Sequence, residues 1–407
     1  MMMKEWKMFS VVLSGIFIVL CATPAMCGGA PAGAIVTLPG PGTGQDLVGW
    51  QSENIDGTGA YSQFSSIAVG RTGQPQIATL IEREEFEASL VYFTREKGAW
   101  REEVVDDQSA VISQPQIAID QFGQPHILYA YLINGVTADY ALKYAHKDRF
   151  GWHIENLTDT LGQTYADVSI AVNIQGSPRI AYLAYPHGSL MYASRDGGRW
   201  QTEEIDSDPS AWPVLRLDRN GEPRVLYTER PNFFTREKRY ASRERGEWDI
   251  DILDQNISGQ FYGFGLDLLG TPHIAFSRAG PDIPDEEVVY ITRDRSGWHE
   301  EPVVQGDLLQ YADLAVSDNG VVGVSYAPIN TGDEVTSIQY AVKGLSGWSP
   351  ETVATKDDSS MLSPGMGMAG GSGGKVYLTA SRVVFTGNAI EVTPFLATRA
   401  LRVPDFG

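Results

Sequence analysis

Cysteine is nearly absent from this sequence. It has two, Cys21 and Cys27, and both precede residue 28. The rest of the chain can form no disulfide, so its stability must come from packing. Histidine is scarce at six residues, and no His, Cys or acidic cluster shows metal-ligand spacing. A Gly-rich phosphate loop and a Gly-x-Ser-x-Gly elbow are also missing. No metal and no cofactor is therefore expected. Positive charge is short as well: 31 Lys+Arg face 51 Asp+Glu, a net charge of −20. No basic stripe suits a nucleic acid, and an anionic membrane surface is a poor partner on the same ground. The apolar run Met8–Leu20 has 13 residues, too few to span a bilayer, so no integral membrane span is expected.

That run has another reading. Lys4 and Lys7 precede it and small residues follow, with cleavage sites after Ala25 or Cys27. This is the pattern of a signal peptide, 1–27, followed by a linker, 28–47. Export to the periplasm, the medium or the cell surface follows. Cys27 is a candidate lipid anchor, although Met26 stands where a lipobox wants a small residue.

What is plentiful is repetition. Tryptophans recur at 50, 100, 152, 200, 248, 298 and 348. Three residues after each stands an acid: Glu53, Glu103, Glu155, Glu203, Asp251, Glu301, Glu351. Eight residues before the last six stands a tyrosine, and three residues after that tyrosine a base, as in Tyr92 and Arg95. Upstream come two strand-like runs separated by Gly-x-Pro, as at Gly123-Gln-Pro125, which is turn chemistry. Each copy of about 50 residues thus holds four strands, A to D, with D opening at the Trp, which is the sequence signature of a propeller blade. The expectation is an all-β, seven-bladed β-propeller over 48–402, with blades at 61–107, 108–160, 161–207, 208–255, 256–305, 306–355 and 361–402, then a tail at 403–407. The segment 48–56 carries a D strand without A to C, and the last copy has A to C without D. Pairing the two closes the ring and removes two open edges.

The repeated acids, bases and tryptophans read as structure. Charges on an outermost strand D discourage edge pairing, and base and Trp flank the C–D turn closely enough for a cation–π contact. His126 and His273 share a variable repeat position with Gln76, Arg179 and Arg224, so they read as packing residues. The C–D turns Ser194-Arg-Asp196-Gly-Gly198-Arg-Trp200 and Thr292-Arg-Asp294-Arg-Ser-Gly-Trp298 resemble the Asp-box of bacterial-type, sialidase-like secreted propellers in degenerate form. In that family the motif is a folding element between the third and fourth strands. The resemblance implies fold more than activity, and the family's Arg-Ile-Pro motif is absent.

Loop lengths point to one side. The A–B and C–D connections are near constant, whereas B–C and D–A vary, and those two share a face. The D–A loops offer Tyr61, Phe64, Tyr165, Trp212, Tyr262 and Tyr311, rings suited to stacking on sugars or peptides. Just beyond strand B stand Arg83, Arg230, Arg278 and Arg382, which could grip an anionic group. These ten form the expected ligand-binding set. The chain reads as a monomeric exported binding module for a glycan or an extracytoplasmic protein. The alternative is a carbohydrate-active enzyme, a sialidase-like hydrolase or a propeller polysaccharide lyase, drawing on Tyr129, Tyr131, Asp139, His187 or Glu229.

Overall fold

A computed structural model describes residues 49–55, 60–82, 88–107, 114–134, 139–208, 210–229, 236–255, 262–278, 286–306, 309–329, 334–357, 360–363, 367–386 and 389–400. The expected signal, the linker, Cys27 and the tail lie outside these residues. So do Arg83 and Arg230.

Most of the described chain is strand. β1 is Trp50–Asn54. Then come β2 (Ala60–Val69), β3 (Pro75–Glu82), β4 (Ala88–Glu96) and β5 (Ala99–Asp106); β6 (Gln116–Ile119), β7 (Pro125–Asn134), β8 (Asp139–Asp148) and β9 (Gly151–Asn156). They are followed by β10 (Thr164–Val172), β11 (Pro178–Ala184), β12 (Ser189–Asp196) and β13 (Arg199–Asp206); β14 (Ser210–Leu217), β15 (Pro223–Glu229), β16 (Glu237–Glu244) and β17 (Glu247–Gln255). Next are β18 (Tyr262–Leu266), β19 (Pro272–Arg278), β20 (Glu286–Asp294) and β21 (Gly297–Gly306); β22 (Leu309–Val316), β23 (Val322–Pro328), β24 (Ser337–Gly344) and β25 (Gly347–Thr355). The chain ends with β26 (Ser360–Leu362), β27 (Gly367–Gly370), β28 (Lys375–Thr386) and β29 (Ala389–Ala400).

Hydrogen bonding corrects the expected blade count. Four meanders of four strands, β2–β5, β14–β17, β18–β21 and β22–β25, and one five-stranded sheet of β1 with β26–β29 stand apart as blades. β6–β13 instead form one continuous eight-stranded sheet. The fold is therefore a propeller with five separate blades, not seven. The seam is local: Thr164, which opens β10, pairs with Tyr140 of β8. Sequence repeats fix strand order, but a single backbone pair across a boundary decides whether two units share a sheet.

Trp50–Asn54 pairs antiparallel with Phe395–Arg399, Trp50 opposite Arg399. This is the register that Trp100 and Arg95 keep within one hairpin. The two chain ends thus complete a single sheet.

Inner strands are covered on both faces. Ile127, Leu128, Tyr129 and Ala130 are consecutive and fully buried, which an amphipathic strand with one wet face would not allow. Packing is closest where side chains vanish: a Cβ on Gly263 would collide with the backbone nitrogen of Leu314 in the next repeat.

The repeated acids face sideways rather than outward. Glu103 accepts Lys147 Nζ at 2.6 Å and the Trp152 indole N–H at 3.2 Å. Glu155 takes Arg195 and Trp200 in the same way, Glu203 takes Arg243 and Trp248, and Glu301 takes Lys343 and Trp348. Asp251 pairs with Arg293, Glu53 with Arg95 and Glu351 with Arg399. Each acid therefore clasps the next repeat. The base also lies over its own hairpin's Trp, as Arg95 does 4.7 Å from the Trp100 ring.

Candidate functional site

The D–A and B–C connections share one face. On it, β14 starts with a bulge: its register with β15 shifts between Ala211 and Val214. Trp212 sits in that bulge at φ 51, in the left-handed region. Tyr311 occupies the matching bulge of β22 at φ 57. Bulges of this kind re-aim a side chain, and they concentrate beside binding sites.

Around Trp212 the groups interlock. The Tyr262 hydroxyl donates to the Trp212 carbonyl. Tyr262 is buried, and Lys238 Nζ lies 3.6 Å from its ring centroid. Lys238 is itself fully buried and donates to Thr228 Oγ1 at 2.7 Å. The Arg236 guanidinium stands 5.7 Å from the Trp212 ring.

Beside it, Arg239 gathers carboxylates. Nη1 is 2.9 Å from Asp206 and 3.5 Å from Asp208, and Nη2 is 2.8 Å from Glu237 and 3.4 Å from Glu229. The Tyr227 hydroxyl donates to Asp206 at 2.6 Å. Glu229 is 1% exposed, and its Oε2 has no hydrogen-bond partner. Burial pushes its carboxyl up to about 7, against the pull of Arg239 and with the neighbouring carboxylates Glu237, Asp208 and Asp206 adding to the rise. An earlier repeat has a similar cluster: Asp106 accepts Tyr129 Oη at 2.7 Å and Lys143 Nζ at 2.8 Å.

The remaining sequence-derived residues divide clearly. The Tyr165 ring lies 5.5 Å from that of Tyr185 at an interplanar angle of 57°, and its hydroxyl donates to the Pro186 carbonyl at 2.9 Å. Tyr185 is 42% exposed, so this tyrosine pair presents ring surface to solvent. Arg278 is held by Asp254, Glu287 and Glu300. Arg382 is held by Asp357 at 2.7 Å and Ser360 Oγ at 2.8 Å. Tyr61 and Phe64 belong to β2, where only the backbone is described, and the same holds for Asp139 in β8. Tyr129 is buried on Asp106, Tyr131 accepts from Asn156, and His187 is exposed.

Behind this face the A strands enclose a channel of about 200 Å³, lined among others by Ser66, Gln116, Arg216, Tyr262, Tyr311 and Asp313. Asp313 accepts the N–H groups of Leu314 at 2.7 Å and Met368 at 2.8 Å, and burial raises its carboxyl to about 6. Burial also lowers the Arg216 guanidinium, which keeps Asp313 as its counter-charge.

Sequence reasoning missed Asp206, Arg239, Arg216 and Asp313. Two signals were present. Asp106, Asp206 and Asp254 each stand six residues after a Trp. Arg216 occupies a repeat position held elsewhere by Ala68, Ala118, Ala171, Gly265, Ala315 and Ala369. Among the described residues no group of three His, Cys, Asp or Glu could hold a metal, and no helix is long and apolar enough to cross a membrane.

No protein-family model matches the chain. No curated protein matches it either. Solved structures do. A polysaccharide lyase of family PL25, an ulvan lyase bound to -[GlcA(1-4)Rha3S]-, is 12% identical over 85% of this chain and 95% of its own, with a TM-score of 0.54. The polysaccharide lyase Uly1 is 10% identical over 86% of this chain and 91% of its own, with a TM-score of 0.52. A fungal alcohol oxidase of the AA5 family, in complex with copper, is 11% identical over 86% of this chain and 76% of its own, with a TM-score of 0.51. At such identities the likeness is one of propeller fold.

Proposed function

We propose that this chain is an exported propeller that binds a neutral glycan on its D–A/B–C face. The observation that carries the reading is the state of that face's arginines. Arg239, Arg278 and Arg382 are all occupied by the chain's own carboxylates. Among the described residues, these three spent arginines leave fewer cations for a sulfated or uronic polymer. The face keeps what neutral sugars use: ring surface at Tyr165, Tyr185 and Trp212 for their C–H faces, and carboxylate oxygens to accept their hydroxyls. A protein partner is the competing occupant.

A glycan array followed by calorimetry tests this. Binding to neutral oligosaccharides is expected, falling at least about tenfold in Tyr165→Ala and in Trp212→Ala, a loss of about 1.4 kcal/mol. Binding confined to sulfated or uronic glycans would overturn it.

A second reading, catalysis on a carbohydrate, is favoured by Glu229. Burial raises its carboxyl to about 7, so it holds a proton more readily than an ordinary glutamate, as a general acid must. Reducing-sugar and unsaturated-product assays on wild type and Glu229→Gln separate the two. Turnover abolished by the substitution would favour catalysis over binding alone.

A further inference from the structure

The channel enclosed by the A strands holds an arginine in a different state from those of the D–A/B–C face. Every other repeat puts Ala or Gly at the position of Arg216, so this long side chain has no counterpart in the ring. Its Nη1 donates to the Leu215 carbonyl at 3.0 Å. Among the described residues, Nε and Nη2 meet no acceptor, and no carboxylate forms an ion pair with the group. Asp313 is the charge that acts on it, from a distance. Both Asp313 oxygens are already engaged by backbone, Oδ1 by the N–H of Leu314 at 2.7 Å and Oδ2 by that of Met368 at 2.8 Å.

Gln116 is uncommitted in the same way. Residues at its repeat position cap a backbone N–H of the next repeat. Ser66 Oγ accepts from Ile117 at 3.3 Å, Ser169 Oγ from Leu215 at 3.0 Å, and Asp313 Oδ2 from Met368. The Gln116 amide makes no hydrogen bond among the described residues, yet it lines the channel together with Arg216. Ser66 lines it too, and a hydroxyl that accepts one N–H still has its own hydrogen to give.

A half-buried guanidinium with most of its five N–H groups unbonded is costly unless something else receives them. The free side is the Nε–Nη2 edge, two parallel donors whose spacing matches the two oxygens of a carboxylate. The channel has about 200 Å³, below the roughly 300–1,000 Å³ of sites for drug-sized ligands, so its guest must be small.

We propose that the channel is a binding site for a small carboxylate, held bidentately on the Nε–Nη2 edge of Arg216, with the Gln116 amide and the Ser66 hydroxyl as further donors. Its occupancy does not depend on what the D–A/B–C face binds. Asp313 makes the site sensitive to pH. The other titratable groups of the lining are the phenols Tyr262 and Tyr311, with Lys238 over the Tyr262 ring. Burial raises the Asp313 carboxyl to about 6. A bound anion repels the ionised carboxyl, so occupancy and protonation of Asp313 favour each other, and affinity rises as pH falls through about 6.

Titration of the purified protein with formate at constant ionic strength, read by line broadening of the formate NMR signal, tests this. Saturable binding is expected, tightening as pH is lowered from about 8 to about 5.5. Affinity should fall at least about tenfold in Arg216→Gln, and also in Arg216→Lys, which keeps the charge but loses the fork. Gln116→Ala should weaken it about fivefold, the effect of losing one hydrogen bond. Asp313→Asn should flatten the pH dependence. Thermal melting reports whether each variant is folded. Should Arg216→Gln not fold, a crystal structure of the wild type in formate decides: formate on the Nε–Nη2 edge is the expected result, and water alone there would overturn the proposal. So would the absence of saturable binding, equal affinity in wild type and a folded Arg216→Gln, or chloride binding as tightly as formate in a parallel titration.

Discussion

Arg195 reaches back to Glu155, 40 residues earlier in the chain, and sets Nη1 at 2.8 Å from its carboxylate. The pair joins one repeat to the next, and Trp200 Nε1 donates to the same carboxylate at 3.2 Å. Both charged partners are only half-buried, so the ion pair alone is worth little; its geometry is shared with an indole that must find an acceptor.

Glu155→Gln is therefore expected to cost about 1 kcal/mol in chemical denaturation. A double-mutant cycle with Arg195→Met should show coupling between the two sites. Strict additivity would place their contribution elsewhere.

Trp50 anchors the pairing of the two chain ends. It is buried and lies edge-on to Tyr340, with centroids 5.1 Å apart. Trp50→Ala should cost about 3–5 kcal/mol. Removal of 48–56 should abolish cooperative unfolding, because β29 would be left with an open edge. A deletion variant that melts like the parent would contradict this.

Strand order, and the pairing of the two ends, were legible because each repeat marks its D strand with a Trp. The number of separate sheets was not legible, since the Thr164–Tyr140 pair that joins β8 to β10 has no counterpart in the repeat pattern. The acids were visible but their direction was not: position on an outer strand does not say whether Glu103 faces water or Lys147 of the next repeat. At the site, Trp212 stood out as a residue, yet its left-handed backbone needs the bulge, which arises from pairing with β15. Arg278 was legible as a loop cation. Its three carboxylate partners come from three separate strands, β17, β20 and β21, which only folding brings together.

Stability should respond to pH in opposite directions at two groups. Burial holds the His126 imidazole down from 6.5 to about 4, although Asp120 pulls it up. The unfolded chain takes up that proton first, so this contribution is complete above pH 6.5 and is lost as pH falls toward 4. His126→Gln should flatten that slope without losing the partner, because Gln76 accepts the Tyr92 hydroxyl at the matching position. Glu229 behaves inversely. Its folded carboxyl holds a proton up to about 7 against an ordinary 4.5, so stability falls as pH rises between those values, and Glu229→Gln removes the fall. Melting temperatures of both variants across this range check the two signs.

The most direct measurement is hydrogen exchange of the protein with and without a neutral oligosaccharide that it binds. The predicted result is protection at the backbone around Tyr165, Tyr185, Asp206–Trp212 and Tyr227–Glu229, with the Phe122, Ile174 and Leu269 turns unchanged. Protection confined to those turns, with the D–A/B–C face exchanging as before, would contradict the account.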